Sequence, residues 1–302
     1  MFIYTDIVEK FSCEMCGQCC RNSWRVTVDE QSYLRNQALF VGTGREWEFN
    51  QAFNKLAHSE GYGEYAYIAK QPAGGCWFLD TDNRCRLHKE GGHRQLDAVC
   101  QTFPRYPMST ARGIEITLSF SCPAVLKLAD RIEPLKLIRS EQSPIELLPD
   151  NYVAEIHPAQ QPLSNPLRYY FELEMHFIDI LQCRGLSLPK RLTLLNDTAR
   201  EINSFAKETD IAGKLTYLFN RNYDDMEALN ALESSVTASA LIENFFVSFV
   251  FKKPFYIYGV EKTLRLFNYM WQQINSSRNI IDTIRQLEFQ YGHDRTALST
   301  KV

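Results

Sequence analysis

Residues 13–20 read Cys13-Glu14-Met15-Cys16-Gly17-Gln18-Cys19-Cys20, four thiols within eight positions. The three-residue steps from Cys13 to Cys16 to Cys19 let one compact loop carry three thiols to a single metal centre. Gly17 gives the backbone freedom to fold around it. Cys20 does not readily aim at the same tetrahedral corner set as Cys19, so the motif holds either two sites or one ligand beside a non-ligating thiol. A ferredoxin-type run opens with the same spacing and places its fourth cysteine, followed by proline, four positions after the third. Ser23 stands there instead.

Outward from this stretch, Cys76, Cys85, Cys100 and Cys122 supply long-range partners, and Cys122 is followed by Pro123. Eight of the nine cysteines therefore lie between residues 13 and 122, leaving only Cys183 in the helical half. The N-terminal stretch Met1–Lys10 contains Asp6 and Glu9 where a secretory signal needs a basic start and an apolar run, so a cytoplasmic location is expected. Stable disulfides are rare in that compartment, which makes metal ligation the natural employment of these thiols. The eight suffice for two closed zinc sites, or for one iron-sulfur cubane with four thiols to spare. Cys183 falls on the apolar side of an expected helix and reads as a small buried hydrophobe. His88 and His93 follow Cys85 closely, but a histidine near a turn is more often solvated or hydrogen-bonded than a ligand.

Composition narrows the remaining classes. A net charge of −3 lacks the basic stripe of a nucleic-acid binder. The longest apolar stretch, Phe245–Phe251, is far shorter than the roughly 20 residues of a membrane span, so no membrane partner is expected. At 302 residues and 45% hydrophobic content the chain can bury a substantial core.

The expected class is α+β, mostly α: a cysteine-rich region of short strands, loops and helices packed on a C-terminal helical bundle. Residues 1–140 form the metal-binding part, 141–165 a linker punctuated by Pro144, Pro149, Pro158 and Pro162, and 166–302 the helical part. Tyr170, Leu173, Phe177, Ile180 and Leu181 recur at helical spacing, as do Leu192, Leu195, Ala199, Ile202 and Phe205. Similar patterns run over 212–220, 237–252 and 260–290. Residues 24–28 and 114–120 alternate as strands do.

Other motifs are weaker. Gly42-Thr43-Gly44 lacks the preceding strand of a nucleotide loop and reads as a turn. The Cys-x3-Cys-x2-Cys run of radical enzymes is absent. Phe103-Pro104-Arg105-Tyr106-Pro107 reads as a rigid loop near the cysteines rather than a carboxylate-binding one.

Cys13-x2-Cys16-Gly17-x-Cys19-Cys20, Cys76-Trp77-Phe78-Leu79, Cys85-x-Leu87-His88 and Cys100-x2-Phe103-Pro104 together resemble a bacterial zinc- or iron-chelating cysteine-cluster family over about the first 125 residues. Trp24, Asp29, Pro104-Arg105 and Ser121-Cys122-Pro123 are similar to its flagellin lysine N-methylase branch. Gly185–Leu188, Arg191-Leu192 and Leu241–Asn244 with Phe251 extend that resemblance into the helical half. The resemblance implies methyl transfer from S-adenosylmethionine to a lysine of flagellin or another protein, aided by a cysteine-bound centre, a 4Fe-4S cluster in preference to zinc. Its ligand set would be Cys13, Cys16, Cys19, Cys20, Cys76, Cys85, Cys100 and Cys122. Tyr106 and Asp29 are candidates for the group that removes the amine proton. A non-enzymatic chelating module and a redox or iron-handling protein are the competing classes.

Overall fold

A computed structural model describes residues 1–57, 64–146, 148, 154–206, 208–230 and 240–292. In chain order its elements are β1 (Phe2–Thr5), α1 (Gln18–Arg21), β2 (Thr27–Val28), α2 (Glu30–Gly42), α3 (Glu46–Ala52), β3 (Phe53–Lys55), β4 (Ala66–Ile68), α4 (Arg86–Gly91) and α5 (Ala98–Thr102). There follow β5 (Arg105–Thr110), β6 (Gly113–Leu118), α6 (Pro123–Ala129), β7 (Leu137–Ser140) and β8 (Glu155–Ile156). The C-terminal helices are α7 (Tyr170–Gln182), α8 (Leu188–Ser204), α9 (Ile211–Asn230), α10 (Ala240–Phe251), α11 (Pro254–Ile257), α12 (Val260–Ser276) and α13 (Ile280–Tyr291). The architecture is α+β and mostly helical. Among the described residues no helix is long and apolar enough to cross a membrane.

Two compact units emerge. One comprises Met1–Phe11, Tyr106–Pro144 and Ala154–Val302, and the other Ser12–Arg105 and Ile145–Val153. The larger is built on a five-stranded sheet of order β7-β1-β6-β5-β8. The N-terminal strand β1 lies parallel to β6, with Ile3 opposite Glu115, and antiparallel to β7. The first eleven residues thus belong to a different unit from the cysteine motif that follows them. Gly113 starts β6 at φ 122°, and a Cβ there would stand 2.2 Å from the Met1 carbonyl oxygen, so the approach of β1 requires glycine.

Helix α10 is the centre of this unit. Every residue from Leu241 to Phe251 is buried, as expected of a helix apolar on all sides. Its few polar groups are all partnered. Ser248 bonds Thr117, and Asn244 accepts from the Leu135 amide and donates to the Ala129 carbonyl. Glu243 takes Arg191 at 2.7 Å and Arg184 at 2.8 Å. Just beyond, the fully buried Lys253 meets Glu174 and Glu115, which also share Arg112.

The helical patterns appear as α7 through α13, with two differences. The 260–290 stretch is two helices, because Ser277 turns extended and the Asn279 side chain accepts from the Asp282 amide to start the second. The 212–220 pattern belongs to a longer helix, α9, and residues 237–239 of another pattern lie outside the described residues. Of the expected strands, 24–28 contributes only Thr27–Val28, and 114–120 is β6, which ends at Leu118. The described part of 141–165 supplies the edge strand β8, parallel to β5, and a short 3-10 turn at Pro158–Gln160. Residues 147 and 149–153 of that stretch, Pro149 included, are outside the described residues.

The smaller unit has a three-stranded sheet, β2-β4-β3, capped by α2 and α3. Phe40, Phe49, Phe53 and Phe78 fill its core, with Phe49 and Phe53 stacked at 4.8 Å. Against this core pack Cys20, Cys76, Cys85 and Cys100.

Candidate metal centre

The cysteine loop owes its shape to backbone constraints. Met15 (φ 50°) and Gly17 (φ 68°) are both left-handed, and the chain then makes the single turn α1, which carries Cys19 and Cys20. At Gly17 a Cβ would lie 2.3 Å from the Asn83 carbonyl oxygen, so only glycine lets the loop approach residues 79–83 this closely. The Cys20 carbonyl accepts from the Cys76 amide at 2.7 Å, tying the motif to the next cysteine. Cys76 and Cys85 each sit in an isolated antiparallel bridge, with Lys70 and Leu79 respectively. Cys85 precedes α4, and Cys100 rides on α5.

Seven of the eight expected ligands thus belong to one unit, drawn from sequence positions spread over 88 residues but held by one small fold. Cys13 and Cys16 are exposed, Cys19, Cys20, Cys85 and Cys100 half-buried, and Cys76 buried. All are free thiols, and the Cys19 and Cys20 sulfurs stand 3.9 Å apart. Among the described residues no three His, Cys, Asp or Glu side chains are closed to metal-ligand spacing. Cys122, the eighth, is a buried residue of the other unit, at the start of α6. Cys183 is half-buried at the end of α7.

The electrostatics follow from crowding. The Cys20 thiol is pushed far up by hydrogen bonding to the sulfurs of Cys19 and then Cys76, and both of those are held low by the same hydrogen bonds. Burial raises Cys13, lifts Cys85 to about 11 and places Cys100 well above the usual thiol range. Such a cluster resists carrying several bare thiolates, and a bound cation removes that resistance while displacing protons. Lys70 near Cys76 and Arg105 near Cys13 add positive charge. The donor chemistry fits a thiophilic metal or an iron-sulfur cluster.

The other candidates have different surroundings. Asp29 accepts from the Ser32 amide and hydroxyl, both at 2.7 Å, and is the N-cap of α2. Tyr106 lies in the larger unit, its ring centroid 5.2 Å from the Lys252 ammonium. His88 and His93 face each other with ring centroids 6.0 Å apart. Gly42 ends α2 and Gly44 takes φ 70° in the turn that follows. Sequence reading missed Asp97, a buried carboxyl whose charge is felt by Cys76, Cys85 and Cys100. Its position one helical turn before Cys100 was the available signal.

Residues 12–121 match the family CxxCxxCC, described as "Putative zinc- or iron-chelating domain". Two proteins named Lysine-N-methylase are similar to this chain. The one from Salmonella typhimurium is 29% identical over 164 residues, and the one from Salmonella choleraesuis 29% over 167, each match covering 52% of this chain. The matched region spans about two fifths (39%) of either relative's length. The flagellar biosynthetic protein FliU of Salmonella muenchen is 29% identical over 122 residues, 39% of this chain and 70% of that protein. No solved structure matches. Residues 12–121 of the chain thus match the CxxCxxCC zinc- or iron-chelating domain, and about half of the chain is similar to proteins named lysine N-methylase.

Proposed function

We propose that the chain is a cysteine-ligated metalloprotein that transfers a methyl group from S-adenosylmethionine to the side-chain amine of a protein lysine, with flagellin or a similar protein as substrate. The observation that carries the metal half of this reading is the gathering of Cys13, Cys16, Cys19, Cys20, Cys76, Cys85 and Cys100 in one unit. Cys122, the eighth cysteine proposed as a metal ligand, belongs to the other unit. A 4Fe-4S cluster is preferred and zinc is the alternative, and either would supply a fixed positive centre for the thiolates. The free thiols suit a reducing compartment, the cytoplasm. The methyl-transfer half rests on the names of the relatives. Attack on a sulfonium methyl requires a neutral amine, so the substrate lysine must be desolvated or meet a proton acceptor before it reacts.

A second reading, a metal-stapled module without catalysis, is favoured by one observation: four of the thiols pack against the aromatic core, where a metal would tie the fold together.

Purification without oxygen, followed by the visible spectrum and assay of iron, sulfide and zinc, tests the metal half. A brown protein with matched iron and sulfide supports the cluster, stoichiometric zinc the alternative, and absence of both refutes the metal reading. Calorimetry with S-adenosylmethionine then separates the enzyme from the staple. The enzyme should bind the methyl donor more tightly in its metal-loaded form than after chelation, and no binding by either form would refute methyl transfer.

A further inference from the structure

We propose that His176, Asn222 and Thr198 form an acid-sensitive lock that holds helix α9 against α7 and α8, and that protonation of the imidazole releases α9 while the rest of the larger unit stays folded.

The lock follows from how α9 is attached. Among its described residues, Ile211, Leu215, Leu218, Asn222 and Met226 are buried, steps of three and four that draw one narrow seam along the helix. Tyr217 and Tyr223 of the same helix are exposed. Helix α10, by contrast, is buried on every side from Leu241 to Phe251. An element held by so thin a seam is among the first to open. Asn222 is the polar member of that seam. Its Nδ2 donates to the Thr198 hydroxyl of α8 at 2.7 Å and faces Nε2 of His176 on α7 at 2.9 Å. One side chain of α9 thus ties both neighbouring helices.

This geometry gives the sign of the response to acid. An amide nitrogen only donates, so Nε2 accepts and the neutral ring keeps its proton on Nδ1. His176 is 1% exposed, its ring stacks on Phe219 of α9 at 4.1 Å, and its Nδ1 has no hydrogen-bond partner among the described residues. A proton added at Nε2 sets two donors face to face. Turning the Asn222 amide over would offer Oδ1 to Nε2, but the charged ring would still hold Nδ1–H buried without an acceptor. Moving α9 aside returns both N–H groups to water.

The neighbouring charges are engaged elsewhere or exposed. On α7, Asp179 accepts from the Tyr223 hydroxyl at 2.7 Å, and Glu172 is exposed. On α8, Asp197 pairs with Arg200 at the surface, and Glu201 pairs with Arg221 of α9 at 2.6 Å. Asp224 and Asp225 of α9 are exposed, and the Tyr223 ring stands edge-on to His176 at 5.1 Å. Burial therefore sets the imidazole's affinity for protons and depresses its pKa to about 4. Once α9 opens, the ring recovers its ordinary value of 6.5, so opening takes up a proton and acid favours it.

Hydrogen exchange of the full chain, followed by mass spectrometry from neutral pH down to pH 4 and corrected for the intrinsic rate at each pH, tests the lock. Peptides from α9 should lose protection by about tenfold per pH unit as pH falls from 6.5 toward 4, while those from α10 and α12 lose little. His176→Gln, which still offers Asn222 an acceptor but does not titrate, should keep α9 protection nearly level over that range. Loss of protection in step across α9, α10 and α12, no loss in α9, or an undiminished fall in His176→Gln overturns the lock. Should that variant fail to fold, the first two results decide on the natural chain.

Discussion

At the residue scale, single positions are fixed by what lies a few ångströms away. Gly17 combines a left-handed backbone with a neighbouring carbonyl at 2.3 Å from any Cβ, so Gly17→Ala should cost about 2 kcal/mol or more. Urea denaturation combined with metal analysis should show lower stability and reduced metal content together. His176 is the opposite kind of residue, invisible as chemistry in the sequence. It is buried in the bundle, stacked on Phe219 at 4.1 Å and bonded to Asn222 at 2.9 Å, and burial depresses its pKa to about 4. Because the folded-state value lies below the ordinary 6.5, its neutral form is the stable one. The contribution is complete above pH 6.5 and is lost as pH falls toward 4, by up to about 3 kcal/mol. Denaturation midpoints measured over that range should fall in the natural protein and fall less in His176→Phe.

At the scale of elements, the helical spacing of Tyr170, Leu173 and Phe177 made α7 legible, and the pattern from Leu192 to Phe205 located α8, because burial on one face imposes the period itself. The break at 277–279 was not legible, since the apolar period continues through it and only the Asn279 cap stops the first helix and starts the second. Nor were the ion pairs of α10 and the residues after it. Glu243 and its partners Arg184 and Arg191 are far apart in the chain, and no local pattern couples them. Removing one member of a buried pair strands the other. Glu243→Ala should therefore cost about 3–5 kcal/mol by leaving Arg191 buried without its counter-charge. Thermal and chemical denaturation should agree on that loss, and a cost below about 1 kcal/mol would show that Arg191 finds water instead.

At the scale of the whole molecule, metal should stabilise the units unequally. Hydrogen exchange before and after chelation should accelerate in residues 12–105, with β1, β6 and α10 little changed, because the seven thiols belong to the smaller unit alone. Uniform acceleration across both units would show that the centre supports the entire chain. The sequence by itself determined the cysteine-cluster motif, the mixed class and most of the helices, since cysteine spacing and amphipathic period are local properties of the chain. Only the tertiary structure decided that Met1–Phe11 joins the larger sheet through β1 and β6, that Cys122 lies in a different unit from the other seven cysteines, and that Asp97 stands among the thiols. These depend on contacts between residues distant in the chain, selected by burial and by the pairing of polar groups, which no sequence period records.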